Sequence, residues 1–121
     1  MTQNSEKLDV YQESYTLSKD VFLELEKVNK SFRLKEQLFG AVSSIPANLM
    51  EFGAMENKKQ QAQKLSVCIG EANEAQYWFD LCKDVGIISP EKHKDFMNRI
   101  KVIRMKLFNL LRSVKADMEK P

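Results

Sequence analysis

Glycine, proline and histidine are scarce in this chain: four, three and one among 121 residues. So few turn formers leave little material for a fold of many short strands. A single histidine excludes most site chemistries that a helical protein could house. A di-iron bundle needs paired Glu-x-x-His motifs facing inward, and Glu71 and Glu74 have no histidine partner in the sequence. Nucleophilic arrangements need a base beside a Ser or Cys, and His93 stands between Lys92 and Lys94, where it reads as a solvated surface residue. No metal, no cofactor and no enzymatic activity are expected. No apolar run approaches the ~18 residues of a membrane span, and the opening MTQNSEKLDV lacks an apolar signal region, so a cytoplasmic protein with no membrane partner is expected. The two cysteines, Cys68 and Cys82, are fourteen positions apart. On one helix that separation is about 21 Å, beyond disulfide reach, which predicts two inert core thiols.

What the chain does contain is apolar residues at helical spacing. The first segment, from about Ser5 to Asn29, steps through Leu8, Tyr11, Tyr15, Ser18, Phe22 and Leu25, with Leu17, Val21 and Val28 widening the stripe. Ser31 is placed to cap a second helix carrying Leu34, Leu38, Ala41, Ile45, Leu49 and Phe52, with Gly53 suited to a left-handed end. Asn57 with Gln60 resembles a capping box and opens a third helix, whose inward stripe is Leu65, Cys68, Ala72, Ala75, Phe79 and Cys82 before Gly86. Ser89-Pro90 is an N-cap followed by a first-turn proline, and the fourth stripe runs Phe96, Ile100, Ile103, Leu107, Leu110 and Val114. The reading is all-α: one domain over residues 1–121, an antiparallel up-down-up-down four-helix bundle. Met97, Met105, Phe108 and Leu111 add apolar surface beyond what a monomeric core requires, which predicts self-association.

Pro46 interrupts the second stripe without ending it. It offers no N–H to the Val42 carbonyl, and its ring crowds the preceding turn. A kink within one long helix is the expectation, with Ser43 and Ser44 able to occupy freed backbone groups. The alternative is a break, with Ser44 capping a new short helix. Asn48 and Glu51, one turn apart beside the proline, read either as a small polar site or as an amide holding the bent backbone next to a rim carboxylate. The second reading is preferred, because buried polar groups near a freed carbonyl usually satisfy it.

The net charge of +2 hides an asymmetry: residues 1–90 carry ten Lys/Arg against thirteen Asp/Glu, and residues 91–121 carry nine against four. Arg99, Lys101, Arg104, Lys106, Arg112 and Lys115 follow one another with no acidic residue between Asp95 and Asp117. Such a stripe is either an ordinary solvated face or a surface for the phosphate backbone of RNA or DNA. No base-reading motif accompanies it, so recognition by charge and shape is expected. The competing reading is a structural or interaction module that binds another protein or copies of itself.

The stretch SSIPANLMEFG resembles the S-I-P-x-N-I-A-E-G signature of the four-helix bundle proteins encoded by intervening sequences of 23S ribosomal RNA genes. Ser44, Ile45, Pro46, Asn48 and Glu51 carry the match. LDVYQ at 8–12, Leu34 with Gln37, and CIGEANEA followed by CKDVGII agree with the same family. Met50 and Phe52 depart from the small residues of the signature, the segment between the first two helices is shortened, and Glu71 stands where a serine is common. The resemblance implies a subunit that assembles as a ring, a homopentamer, with no established enzymatic activity. It also implies a fold similar to the accessory protein of diversity-generating retroelements, a basic pentamer that binds nucleic acid and a reverse transcriptase. That is an analogy of fold.

Overall fold

A computed structural model describes the backbone of residues 3–120 and the side chains from Asp9 to Lys120. It contains four helices: α1 (Gln3–Leu25), α2 (Phe32–Phe52), α3 (Lys58–Asp84) and α4 (Pro90–Met118). Each helix packs on two neighbours, in the cycle α1–α2–α3–α4–α1, and neither diagonal pair packs together among the described residues. The α1/α2 edge therefore lies opposite the α3/α4 edge. No helix among the described residues is long and apolar enough to cross a membrane.

Two of the helix starts follow from their capping residues. The Asn57 side chain accepts from the Gln60 N–H at 3.0 Å, and Ser89 Oγ accepts from the Lys92 N–H at 3.1 Å ahead of Pro90. Gly86 closes α3 with φ 82°: its N–H donates to the Lys83 carbonyl at 3.0 Å, and Ile87 N–H reaches the Cys82 carbonyl at 2.8 Å. This Schellman arrangement needs a left-handed residue at that place, which glycine supplies without strain.

Two other ends differ from expectation. Ser31 precedes α2 in the left-handed region, φ 59° and ψ 43°, and its side chain makes no capping bond. Gly53 follows α2 in the right-handed region, φ −60° and ψ −24°, because the turn after Phe52 continues the helical curl, with Ala54 N–H donating to the Glu51 carbonyl. Helix α1 also ends at Leu25 rather than near Asn29, leaving Val28 half-buried in the connection.

The core is built from the stripes of α2, α3 and α4 as the spacing predicts: Leu38, Ala41, Ile45, Leu49 and Phe52; Leu65, Cys68, Ala72, Ala75, Phe79 and Cys82; Phe96, Ile100, Ile103, Leu107, Leu110 and Val114 are all buried. Met97 and Leu111 are buried with them rather than forming surplus surface. On α1 the phase is different. The buried face is Val10, Ser14, Leu17, Ser18, Val21 and Leu25, while Tyr15 and Phe22 are exposed; Leu8 lies outside the described side chains. Both stripes satisfy a three-and-four spacing. Leu17, Ser18, Val21 and Leu25 belong to the expected stripe and are buried, whereas Val10 and Ser14 were not part of it; the Ser14 hydroxyl is satisfied inside, donating to the Tyr11 carbonyl at 3.0 Å.

Candidate functional site

The four seams between neighbouring helices have four different chemistries. The α1/α2 seam is apolar. Tyr11, Tyr15, Phe22, Phe39, Pro46 and Met50 line a groove of about 640 Å³, with Lys19 its only charged lining residue among those described. Its rings contact one another across and along the helices: Phe22 and Phe39 meet edge to face at 5.6 Å, and Tyr11 and Tyr15 lie 6.1 Å apart. Surplus apolar surface thus sits on α1 and α2, where Met50 is 62% exposed, more than on α4.

Helix α2 runs through Pro46 without a break. The Val42 carbonyl, which loses its helical donor to the proline, is met by α1: the Ser18 hydroxyl is shared between it, at 3.3 Å, and the Ser14 carbonyl, at 2.8 Å. The partner that local sequence suggested, a serine of α2 itself, is not the one used. Ser44 Oγ instead lies 2.9 Å from the Ala41 carbonyl and donates to Glu71 Oε2 at 2.8 Å.

That last bond belongs to the α2/α3 seam, which is polar. Asn48 Nδ2 donates to the Ser44 carbonyl at 2.7 Å, and Lys64 Nζ donates to Asn48 Oδ1 at 3.3 Å and to Glu51 Oε2 at 3.5 Å. Asn48 therefore braces the α2 backbone beside Pro46, and Glu51 is a rim carboxylate, 62% exposed at its side chain. Behind this line Cys68 is fully buried; burial pushes its thiol up to about 12, opposed by the Lys64 charge and reinforced by Glu71. Burial likewise raises Cys82 to about 11. Both thiols are free and stay protonated at neutral pH, so neither is an activated nucleophile.

The α1/α4 seam is ion-paired. Arg99 bridges Asp20 at 2.8 Å and Asp95 at 3.3 Å, and Lys106 pairs with Glu13. Asp20 and Glu13, the acids that tie these two cations across the seam, come from α1, far away in sequence, while Asp95 adds a bond within α4. Their neighbours on the opposite flank of α4 behave differently. Arg104 Nε donates to Asn73 Oδ1 of α3 at 2.6 Å while its guanidinium stacks on the Phe108 ring, 4.9 Å from the centroid. Lys101, Arg112 and Lys115 are exposed and have no ion-pair partner among the described residues. The basic stripe is thus divided: Arg99 and Lys106 hold α1 to α4, and Lys101, Arg104, Arg112 and Lys115 crown the α3/α4 seam. Nearby acids are engaged: Asp117 faces Lys58 at 3.7 Å, and Asp80 Oδ1 meets His93 Nε2 at 2.7 Å. His93 is accordingly a half-buried bracing residue between α3 and α4, not a solvated one, because the turn after Gly86 folds the start of α4 back onto Asp80.

The seam that carries Ser44, Asn48 and Glu51 is also where a family comparison has most to test. The model of the 23S rRNA-intervening sequence proteins matches residues 6–109. The chain belongs to that family. Among solved structures it is similar to a protein of unknown function from the S23 ribosomal protein family of Bacteroides thetaiotaomicron VPI-5482, with a TM-score of 0.82 at 22% identity over 92% of this chain and 98% of that one. At that identity the likeness is one of fold. No curated protein matches the chain.

Ser44, Pro46 and Asn48 belong to a structural brace: Pro46 leaves the Val42 carbonyl without its helical donor, Ser18 meets that carbonyl, and Ser44 and Asn48 tie this part of α2 to α3 through Glu71 and Lys64. Sequence reasoning placed Ser18 on the inward stripe and named Glu71 but gave neither its partner, and it missed Lys64 and Asn73; all four are polar partners from another helix. Lys64, at seven residues from Glu71, lies on the same flank of α3; that two-turn spacing beside a proline-bearing neighbour was the signal available. Among the described residues no group of three or more His, Cys, Asp or Glu is placed to hold a metal ion.

Proposed function

We propose that this protein is a non-enzymatic, self-associating four-helix subunit that binds the phosphate backbone of RNA or DNA through the α3/α4 face. The observation that carries the reading is the division of the α4 cations. Arg99 and Lys106 are paired with acids of α1, and Arg99 also with Asp95, whereas Lys101, Arg112 and Lys115 project from the opposite flank without a carboxylate partner among the described residues. A field of one sign on one edge of a small domain attracts polyanions.

Self-association is supported by the apolar α1/α2 groove on the other edge, since a contiguous apolar patch on a soluble helical domain marks an interface. The two edges are opposed, so copies joined through the groove leave the basic edges free, and each added subunit repeats the field. Five subunits is the number that the family resemblance implies.

The test is a salt titration of binding to labelled nucleic acid, comparing wild type with Lys101→Glu/Arg112→Glu. Wild-type affinity should fall with salt by a log–log slope of about −0.7 per contacted phosphate on a single strand and −0.9 on duplex DNA. The double variant, altered only at exposed positions, should lose most of the affinity and keep its melting temperature. Equal binding by the variant would reduce the cations to a solvated face. The apolar groove would then favour the second reading, an interaction module with no nucleic-acid role.

A further inference from the structure

Tyr77 is an exposed aromatic that neither the core nor the apolar groove uses. It is 58% exposed on α3. It lies one turn beyond Asn73, the residue that receives Arg104 Nε at 2.6 Å. Residues four apart on a helix are surface neighbours, so Tyr77 borders Asn73, the anchor of the Arg104 guanidinium. Its ring is held at 77° to that of Trp78, with centroids 4.8 Å apart, which fixes the orientation of a side chain that would otherwise rotate in solvent. Trp78 in turn donates its Nε1–H to Glu74 Oε1 at 3.2 Å, which anchors the indole on its own helix.

Arg104 is prepared in a complementary way. Stacking on Phe108 and the bond from Nε to Asn73 hold the guanidinium plane, while its two terminal nitrogens have no partner among the described residues. A guanidinium fixed with its outer edge free is suited to bidentate contact with a phosphate. Lys101 precedes it by three residues, and Arg112 and Lys115 continue the line; Lys101 to Lys115 spans about 21 Å of helix.

A track of cations would serve any nucleic acid. An oriented, accessible aromatic beside it does not: the bases of an intact duplex are stacked on one another and present no face to a tyrosine on a helical surface. Unstacked bases do, and sequence-tolerant stacking next to a basic track is how single strands are held. We infer that the α3/α4 face is a single-strand site, with Tyr77 stacking on an unpaired base and Arg104 gripping the adjoining phosphate. The inference rests on the basic-face reading above and narrows it to one class of ligand, RNA or DNA in unpaired form.

The experiment uses fluorescence anisotropy with labelled oligo(dT), oligo(rU) and a duplex of matched length, on wild type, Tyr77→Ala, Tyr77→Phe and Lys101→Glu/Arg112→Glu. Quenching of Trp78, the single tryptophan, gives a local second signal. Wild type should bind at least one single strand more tightly than the duplex, with Trp78 fluorescence changing on saturation. Tyr77→Ala should weaken single-strand binding about tenfold, the lower part of the range for loss of one stacked base. Tyr77→Phe should restore it, and duplex binding should be unmoved by either change. If Tyr77→Ala binds single strands as wild type does, or if the duplex binds more tightly, while the double charge variant loses binding, the single-strand inference is overturned and the basic-face reading stands. If wild type binds neither form, both fall. Tyr77 is exposed, so its variants are expected to fold, and a thermal melt beside each titration verifies it.

Discussion

The α1/α2 and α3/α4 edges are built from the same kind of element, two adjacent antiparallel helices, yet they end with opposite surfaces. Between α3 and α4 many large residues point inward: Phe79 and Phe96 lie 5.5 Å apart in the core, and Ile69, Ile100, Ile103 and Leu107 are buried along the same seam. What remains outside includes the α4 cations left unpaired among the described residues, with scattered apolar residues, Val67, Tyr77, Val102 and Met105 among them. On α1 the inward positions include Ser14 and Ser18, and its large rings, Tyr15 and Phe22, remain outside with Phe39 and Met50 of α2. An amphipathic helix is usually described by where its apolar residues are. Here the difference between a sealed and a grooved edge depends on where two small polar residues are.

The largest effect should come from charging the groove. Tyr15→Glu with Met50→Glu places two carboxylates on a face whose only lining charge among the described residues is Lys19. Both positions are exposed, so the subunit should fold and melt as before. Static light scattering at micromolar concentration should report a multiple of 14.0 kDa for wild type and the monomer mass for the variant. A wild-type protein that already scatters as a monomer would sink the assembly reading, and the groove would then need another occupant. Nucleic-acid binding per subunit should persist in the variant, since the cations lie on the opposite edge.

Much of the bundle was legible in the sequence because α2, α3 and α4 place a large apolar residue at nearly every inward position, and because Asn57, Gly86 and Ser89-Pro90 have one dominant local role each. The errors share a physical cause: they concern residues whose partners are distant along the chain. Ser18 looked like a member of the Tyr15–Phe22 stripe, but its hydroxyl faces a carbonyl that Pro46 strips of its donor twenty-four residues away. The six cations of α4 looked alike because no acid lies among them, and only the packing of Glu13 and Asp20 against Lys106 and Arg99 separates two of them from the rest. His93 looked solvated because both its neighbours are lysines. Periodicity reports on one helix at a time; ion pairing and carbonyl satisfaction are properties of pairs.

A smaller, sharper test addresses the seam where α1 meets the Val42 carbonyl. Ser18→Ala removes a donor to the Val42 carbonyl and should destabilise the subunit by about 1 kcal/mol, the usual net worth of a buried hydrogen bond. Pro46→Ala supplies an N–H to that same carbonyl. In the Pro46→Ala background the Ser18→Ala substitution should therefore cost clearly less, and urea titrations of the four proteins give the coupling directly. Equal costs in both backgrounds would mean that Ser18 serves only its own helix, through Ser14, and that α1 does not recognise the freed carbonyl.

The smallest expected effect compares the two connections that flank these edges. Both contain a left-handed residue: Gly86 between α3 and α4 at φ 82°, and Ser31 between α1 and α2 at φ 59°. Glycine adopts that region freely, whereas a residue with a Cβ pays roughly 1 kcal/mol for it. Ser31 gains nothing in return through its hydroxyl, which makes no capping bond to α2. Ser31→Gly should relieve the strain, less the greater freedom that glycine has in the unfolded chain. A net gain of about 0.5 kcal/mol, seen as a rise of roughly 2 °C in melting temperature, is the expected result. Gly86→Ala should do the reverse and cost about 1 kcal/mol, although a Cβ there would meet open space. Opposite signs at the two positions would establish that backbone strain resides on the α1/α2 edge alone. A loss of stability in Ser31→Gly would instead mean that the serine restrains the unfolded chain by more than its native conformation costs.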